Sequence, residues 1–313
     1  MNQFLQDVLT GLQSSPKYMQ SKYFYDEEGD KIFQQIMDSE EYYPTDCEME
    51  IFKEQTPELA NVLKNGFDEF DLVELGAGDA TKSFFVLNQL IKNNAKFTYY
   101  PIDISSHIIS ELENNLPQKI KGIKVKGLNG EYFEMLRKAY QVSDKRKVVL
   151  FLGANIGNMP VEEAKTFCKQ LREHLSEDDL LMIGFDLKKH PEVIRNAYND
   201  KKGYTKEFNL NLLRRINKEL NANFDIDAFD HYPSYDPQTG ACKSYLVSLK
   251  KQTVNIAENE PIFFDENESI FMEVSQKYSI HEAEELALQA CFKPVKHFFD
   301  SKKWFIDSVW KCI

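Results

Sequence analysis

The stretch Phe70-Asp71-Leu72-Val73-Glu74-Leu75-Gly76-Ala77-Gly78-Asp79-Ala80-Thr81-Lys82-Ser83 decides the reading of this chain. Its first half is a short apolar run, the signature of a buried strand. The run ends in an acid and a Gly-x-Gly turn, then opens into an amphipathic helix through Leu90. A doubly wound α/β sheet uses this unit to bring backbone amides and a helix N-terminus up to a small ligand. Gly76 and Gly78 let the turn tighten and let the ligand approach the main chain. An ordinary strand–turn–helix reads equally well from a lone Gly-x-Gly. Two details favour the ligand. Lys82 falls in the first turn of the expected helix 80–92, where the macrodipole disfavours a cation, so an anion belongs beside it; Asp79 is the plainer partner. The next strand, Phe97-Thr98-Tyr99-Tyr100-Pro101-Ile102-Asp103, closes on an acid where such folds place the carboxylate that grips ribose hydroxyls. Asp103 would otherwise cap the following helix, a task Ser105 or Ser106 can serve. Thr81 stands where a dinucleotide fingerprint needs its third glycine, so the features point to an adenosine ligand.

A chain of 313 residues holds one large domain or two modest ones. A net charge of -12 argues against nucleic acid or an anionic membrane as partner. The cysteines Cys47, Cys168, Cys242, Cys291 and Cys312 are scattered and form no Cys-x-x-Cys, which suggests reduced thiols and no metal site. The start, Met1 to Asp7, does not read as a signal peptide, and no apolar run approaches membrane-spanning length. The expectation is a soluble, cytoplasmic, globular protein.

Residues 1 to about 60 read as helical, interrupted by Tyr23-Phe24-Tyr25-Asp26 and Glu41-Tyr42-Tyr43-Pro44-Thr45. From Phe70 strands and helices alternate through residue 185, the pattern of a parallel sheet with crossover helices. Lys147 to Gly153 reads as a central strand followed by the loop Ala154-Asn155-Ile156-Gly157-Asn158, which faces the same mouth as Gly76. Asn155 and Asn158 serve such a turn in any case. Residues 190–222 read as one long helical stretch and 224–279 as strands. Helix 281–291 and a hairpin at 295–312 complete the sheet. Two domains follow: 61–192 with 284–313, and a substrate-side domain of 1–60 with 193–283.

In Ile270-Phe271-Met272-Glu273-Val274-Ser275, strand alternation sets Glu273 and Ser275 on one face, about 7 Å apart. Such a pair can hydrogen-bond both nitrogens of an imidazole. The solvated face of an edge strand is the plainer reading of the strand alone.

Glu-Leu-Gly-x-Gly at 74–78, Pro-Ile-Asp-Ile-Ser at 101–105, Phe-Leu-Gly-x-x-Ile-Gly-Asn at 151–158, Ala-Tyr-Asn-Asp at 197–200 and Glu-Val-Ser at 273–275 occur in one order, with Tyr-Tyr-Pro-Thr near 43. Together they resemble the histidine-specific methyltransferase family, enzymes dependent on S-adenosyl-L-methionine (SAM) that include the histidine Nα-methyltransferase of ergothioneine biosynthesis. The resemblance implies a Rossmann-like class I SAM-dependent methyltransferase domain with a smaller α+β substrate-binding domain. It implies Gly76 and Gly78 at the SAM turn, Lys82 at the methionyl carboxylate, Asp103 at the ribose, and Glu131 and Tyr132 at the adenine, where the family has an Asp-Phe pair. Asn158 and Tyr198 are implied at the amino acid's carboxylate and amine, with Tyr25 and Tyr42 closing over the substrate and Tyr42 also at the cofactor. Glu273, Val274 and Ser275 are implied at the imidazole. The family carries a methionine near the substrate where this chain has Lys243 or Ser244, so the pocket's polarity differs there.

The implied reaction is transfer of up to three methyl groups to the α-amine of L-histidine, leaving S-adenosyl-L-homocysteine. Catalytic roles fall on Tyr25, Tyr42 and Asn158, with a small-molecule amino-acid substrate and no obligate protein partner. Three rivals remain. One is a same-family enzyme acting on another amino-acid-like amine, such as a tryptophan derivative; an indole offers only one ring donor to Glu273 and Ser275. The second is a nicotinamide-dependent oxidoreductase, disfavoured by Thr81. The third is a SAM-binding module without catalysis.

Overall fold

The decisive stretch lies at the centre of a large sheet. The computed structural model describes residues 3–67 and 69–313, so Met1 and Asn2, the start of the expected leader-free N-terminus, lie outside the described residues. Numbered within this sheet, the strands are β1 (Glu69–Leu75), β2 (Lys96–Asp103), β3 (Lys124–Val125), β4 (Lys147–Phe151), β5 (Leu180–Asp186), β6 (Phe292–Phe299) and β7 (Phe305–Cys312). Their order is 3-2-1-4-5-7-6, and Leu128–Asn129 adds a short parallel pairing to β2. Strands β1 to β5 are parallel. The terminal hairpin enters antiparallel, β7 against β5 and β6 against β7.

Parallel strands need apolar residues on both faces because crossover helices cover both. Val73, Leu75, Val149, Phe151, Leu181 and Ile183 pack in one buried cluster with helices Tyr132–Val142, Val161–His174 and Ile280–Gln289. Leu72, Leu150 and Met182 point the other way and are equally buried. Each such side chain contributes roughly 1.5–3 kcal/mol relative to exposure.

The chain divides into two compact units, Met1–Tyr43 with Lys189–Ser275, and Pro44–Lys188 with Gln276–Ile313. Segments 44–60 and 276–283, expected with the substrate-side domain, therefore belong to the unit of the large sheet. Helix Tyr43–Glu54 runs into contacts there: Gln55 Nε2 donates to the carbonyl of Phe299 at 2.7 Å. Lys277 forms a buried ion pair with Asp186 at 2.7 Å, and Tyr278 bridges to Leu187.

The other unit is built on a four-stranded sheet in the order Lys17–Tyr18, Ser269–Gln276, Ala241–Ser248, Phe229–Tyr235. Helix residues such as Phe4, Val8, Leu212 and Leu213 share its core with Leu246 and Met272. The single helical stretch expected over 190–222 is two helices, Pro191–Ala197 and Tyr204–Glu219. Asp200 causes the break: its carboxylate accepts the N–H groups of Tyr204 and Thr205, each at 2.8 Å. Gly203 turns the chain at φ +77.

Across β1 and β4 the paired residues Asp71 and Lys147 form an ion pair at 3.1 Å, both fully buried. Lys147→Met leaves a buried carboxylate uncompensated, and urea unfolding is expected to show a loss of about 3–5 kcal/mol. Adding Asp71→Leu is expected to restore most of it.

Candidate active site

Parallel pairing brings the carboxyl ends of β1, β2 and β4 to one edge. There the Gly-x-Gly turn holds φ +69 at Gly76 and φ +51 at Gly78. Gly76 N–H donates to the Ile102 carbonyl at 2.9 Å, and Gly78 N–H donates to Asp103 Oδ2 at 3.2 Å. The other Asp103 oxygen accepts the Ser105 N–H at 2.9 Å. Ser105, not Asp103, caps helix Ser106–Lys119, by accepting the Ile108 N–H. Asp103 is thus aimed at the glycine turn.

Tyr132 opens helix Tyr132–Val142, with exposed Glu131 at the cap position making no side-chain cap bond. A methyl group at Gly76 would stand 2.8 Å from the Tyr132 hydroxyl and 3.8 Å from Asn155 Nδ2. Burial pushes the Tyr132 hydroxyl up to about 12, so it is a neutral donor here. Asn155 and Asn158 bracket a single helical turn after β4, Asn155 half-buried and Asn158 exposed.

The helix expected over 80–92 begins at Ser83, leaving Lys82 just ahead of it. The anion beside Lys82 is Glu48, in an ion pair whose carboxylate is buried and whose lysine side chain is half-buried. Asp79, the plainer partner, accepts the N–H of Thr81 at 2.9 Å. Burial opposes the Lys82 charge, but the charge and hydrogen bond of Glu48 more than offset this and raise its pKa. The Lys82 ammonium lies 3.5 Å from where a Gly153 methyl would be, so it stands at the same edge as the turn.

On the other unit, the Tyr198 hydroxyl donates to Ser275 Oγ at 2.7 Å. Aromatic contacts run on from it: Tyr42 to Tyr198 at 6.1 Å, Phe33 to Tyr42 at 6.4 Å and Tyr25 to Phe33 at 5.5 Å between ring centroids. The strand Ser269–Gln276 is paired with Lys17–Tyr18 only at Ile270 and Phe271, so that neighbour stops short of Glu273 and Ser275; Ser275 is nevertheless buried and Glu273 half-buried, which speaks against a freely solvated face. Val274 alternates to the opposite face and is buried. Tyr245 and Phe271 touch at 5.8 Å between centroids. By alternation Lys243 shares the face of Tyr245, Phe271 and Glu273, whereas Ser244 turns to the buried side.

Sequence reasoning missed Glu48 and Asp307. Glu48 Oε1 accepts the Gly153 N–H at 2.7 Å, and Asp307 is fully buried against Glu48. The signal was Gly184, a glycine inside the buried strand β5, which often marks a close approach. A methyl group there would stand 2.7 Å from Glu48 Oε1. Glu74, in the decisive stretch, is also fully buried; it accepts the Tyr99 hydroxyl at 2.5 Å, and burial pushes it up to about 7.

A sheet in the order 3-2-1-4-5-7-6 with a glycine turn after its first strand and an acid ending its second is a Rossmann-like doubly wound α/β fold with its ligand edge at the carboxyl ends of the strands. The chain belongs to the family described as "Histidine-specific methyltransferase, SAM-dependent", whose profile matches residues 4–312. It is 32% identical over 273 residues to a histidine N-alpha-methyltransferase of Mycobacterium tuberculosis, covering 87% of this chain and 83% of that one. It is 28% identical over 289 residues to ergothioneine biosynthesis protein 1 of Schizosaccharomyces pombe, covering 89% and 37%. It is 26% identical over 305 residues to the L-tryptophan methyltransferase trpM of Psilocybe serbica, covering 87% and 82%. The residues at the sheet edge fit SAM: Gly76 brings bare main chain up under the Tyr132 hydroxyl, where no side chain has room, with the Asp103 carboxylate and the Lys82 ammonium at the same edge. Among the described residues no helix is long and apolar enough to cross a membrane.

Gly76→Ala is expected to weaken S-adenosyl-L-homocysteine binding at least tenfold by calorimetry with an unchanged circular dichroism spectrum, because the methyl group meets the Tyr132 hydroxyl and φ +69 strains it. A second expectation concerns pH. Glu74 has its folded pKa raised from 4.5 to about 7, so its contribution is present below pH 4.5 and lost as pH rises toward 7. Relative to Glu74→Gln, the wild type is expected to lose up to about 3 kcal/mol across that window in urea unfolding.

Proposed function

We propose that this protein transfers methyl groups from SAM to the α-amine of L-histidine, up to trimethylhistidine, as an L-histidine Nα-methyltransferase of the ergothioneine-biosynthesis type. The observation that carries the substrate is the Tyr198–Ser275 hydrogen bond at 2.7 Å, with Glu273 two residues before Ser275 on the same face of the strand. In this reading the unit of the large sheet binds SAM and the other unit supplies most of the histidine contacts.

Bound SAM supplies a methyl group activated by its positively charged sulfur. Gly76 and Gly78 let it approach the main chain, Lys82 meets the methionyl carboxylate, Asp103 the ribose hydroxyls, and Glu131 with Tyr132 the adenine. Glu273 accepts one imidazole N–H. Ser275, whose oxygen already accepts from Tyr198, turns its own proton toward the second ring nitrogen. Val274 serves through its main chain, since its side chain is buried on the far face. Asn158 and Tyr198 hold the amino acid's carboxylate and amine. An α-amine has a pKa near 8 and is largely protonated at neutral pH, so it must lose a proton before each transfer. A tyrosine hydroxyl or a water carries that proton away while Asn158 orients the lone pair. The faces of Tyr25 and Tyr42 accommodate the growing methylammonium, at roughly 0.5–2 kcal/mol each. Alignment of amine and methyl group is the main catalytic contribution.

A net charge of -12 supports a small-molecule substrate over nucleic acid or an anionic membrane, and the scattered cysteines without a Cys-x-x-Cys support a cytoplasmic enzyme. One observation favours a second reading, a different amino-acid-like amine: Lys243 puts a cation on the Glu273 face.

Glu273→Ala is expected to raise the KM for histidine at least a hundredfold while SAM binding, followed by calorimetry, stays within twofold. Equal loss of both would remove Glu273 from the imidazole.

A further inference from the structure

Glu48 is contributed by helix Tyr43–Glu54 and is almost wholly buried, yet it touches three separate parts of the sheet edge. One oxygen accepts the Gly153 N–H at 2.7 Å at the end of β4; the other pairs with Lys82 ahead of helix Ser83–Lys92. Behind it stands Asp307 of β7, whose fully buried carboxyl faces Glu48. Gly184 and Asp307 are register partners on adjacent strands, so the missing side chain at 184 opens the space through which the Glu48 carboxylate reaches Asp307. Among the described residues neither Asp307 oxygen finds a hydrogen-bond partner. Burial, with the Glu48 carboxylate beside it, pushes the Asp307 carboxyl well above its usual range. The Glu48 oxygen that does not take the Gly153 N–H faces Lys82. A lysine side chain has four rotatable carbons and would otherwise sample many positions; here its ammonium has one.

We infer that Glu48, backed by Asp307 and admitted by Gly184, is a positioning residue for cofactor binding, fixing the Lys82 ammonium at the sheet edge where the cofactor's carboxylate arrives. This rests on the reading of Lys82 as the carboxylate's partner. Glu48 also holds the Gly153 N–H, so a variant altered at both Glu48 and Lys82 separates the part of its effect that passes through Lys82 from any that passes through that loop.

The test is calorimetric titration of S-adenosyl-L-homocysteine into the full-length wild type, Glu48→Gln, Lys82→Met and the double variant, with the KM for histidine measured in parallel. Each single variant is expected to weaken binding about tenfold, the double variant no more than Lys82→Met, and the histidine KM to stay within twofold. Losses that multiply to about a hundredfold, or an unaffected Glu48→Gln beside a weakened Lys82→Met, would overturn the positioning role. Full binding by Lys82→Met would instead overturn the reading of Lys82, and the inference with it. If Glu48→Gln does not fold, Lys82→Met against the double variant, in which no unpaired charge remains, decides the matter: equal affinity supports the role and a further drop refutes it.

Discussion

Everything in the larger unit depends on β1 being paired in parallel on both sides, with β2 from Glu69 to Leu75 and with β4 from Asp71 to Glu74. Parallel pairing forces the loops after β1, β2 and β4 to leave from one edge. Gly76, Asp103 and Asn155, distant in sequence, are gathered there by hydrogen-bond geometry alone. The glycine turn then becomes useful because Asp103 takes the Gly78 N–H and Tyr132 closes over Gly76, so the backbone is held in a conformation that other residues adopt at a cost.

Beneath that edge the fold buries carboxyl groups that would be expensive without partners. Glu74, Glu48 and Asp307 surround one cation, Lys82. Burial pushes both the Asp307 and the Glu74 carboxyls up from their usual range, which limits the negative charge the site must hold. The smaller unit solves a different problem. Its polar pair, Tyr198 and Ser275, ends a run of aromatic contacts through Tyr42 and Phe33 to Tyr25. A contact made at one end of such a run constrains rings at the other, because packed aromatics leave little room for independent rotation.

The sheet was legible because its signals are local. An apolar run, a Gly-x-Gly and an acid at the end of the next strand all fall within Phe70 to Asp103, and the terminal hairpin announces itself around Ser301-Lys302-Lys303. The break at Asn199 to Gly203 was not, because Asp200 folds back on two amides four and five residues later, which helical periodicity does not reveal. The domain boundaries moved for a related reason. Residues 44–60 are helical in either unit, and only the contacts of Glu48 and Gln55 assign them. Of the candidate site, Gly76, Gly78, Asp103 and Asn158 end or follow strands β1, β2 and β4, where their motifs were read. Glu48 and Asp307 carry no motif, and their association passes through the absence of a side chain at Gly184. Lys243 was ambiguous with Ser244 until strand alternation could be anchored on the Tyr245–Phe271 contact.

The central claim is histidine methylation by a site whose imidazole contacts are Glu273 and Ser275. Mass spectrometry of the product formed by wild-type protein from SAM with equal L-histidine and L-tryptophan tests it most directly. The account predicts histidine carrying up to three added methyl groups and unmodified tryptophan. Methylated tryptophan with untouched histidine would contradict it, and would turn attention to Lys243 as the residue that resets the pocket.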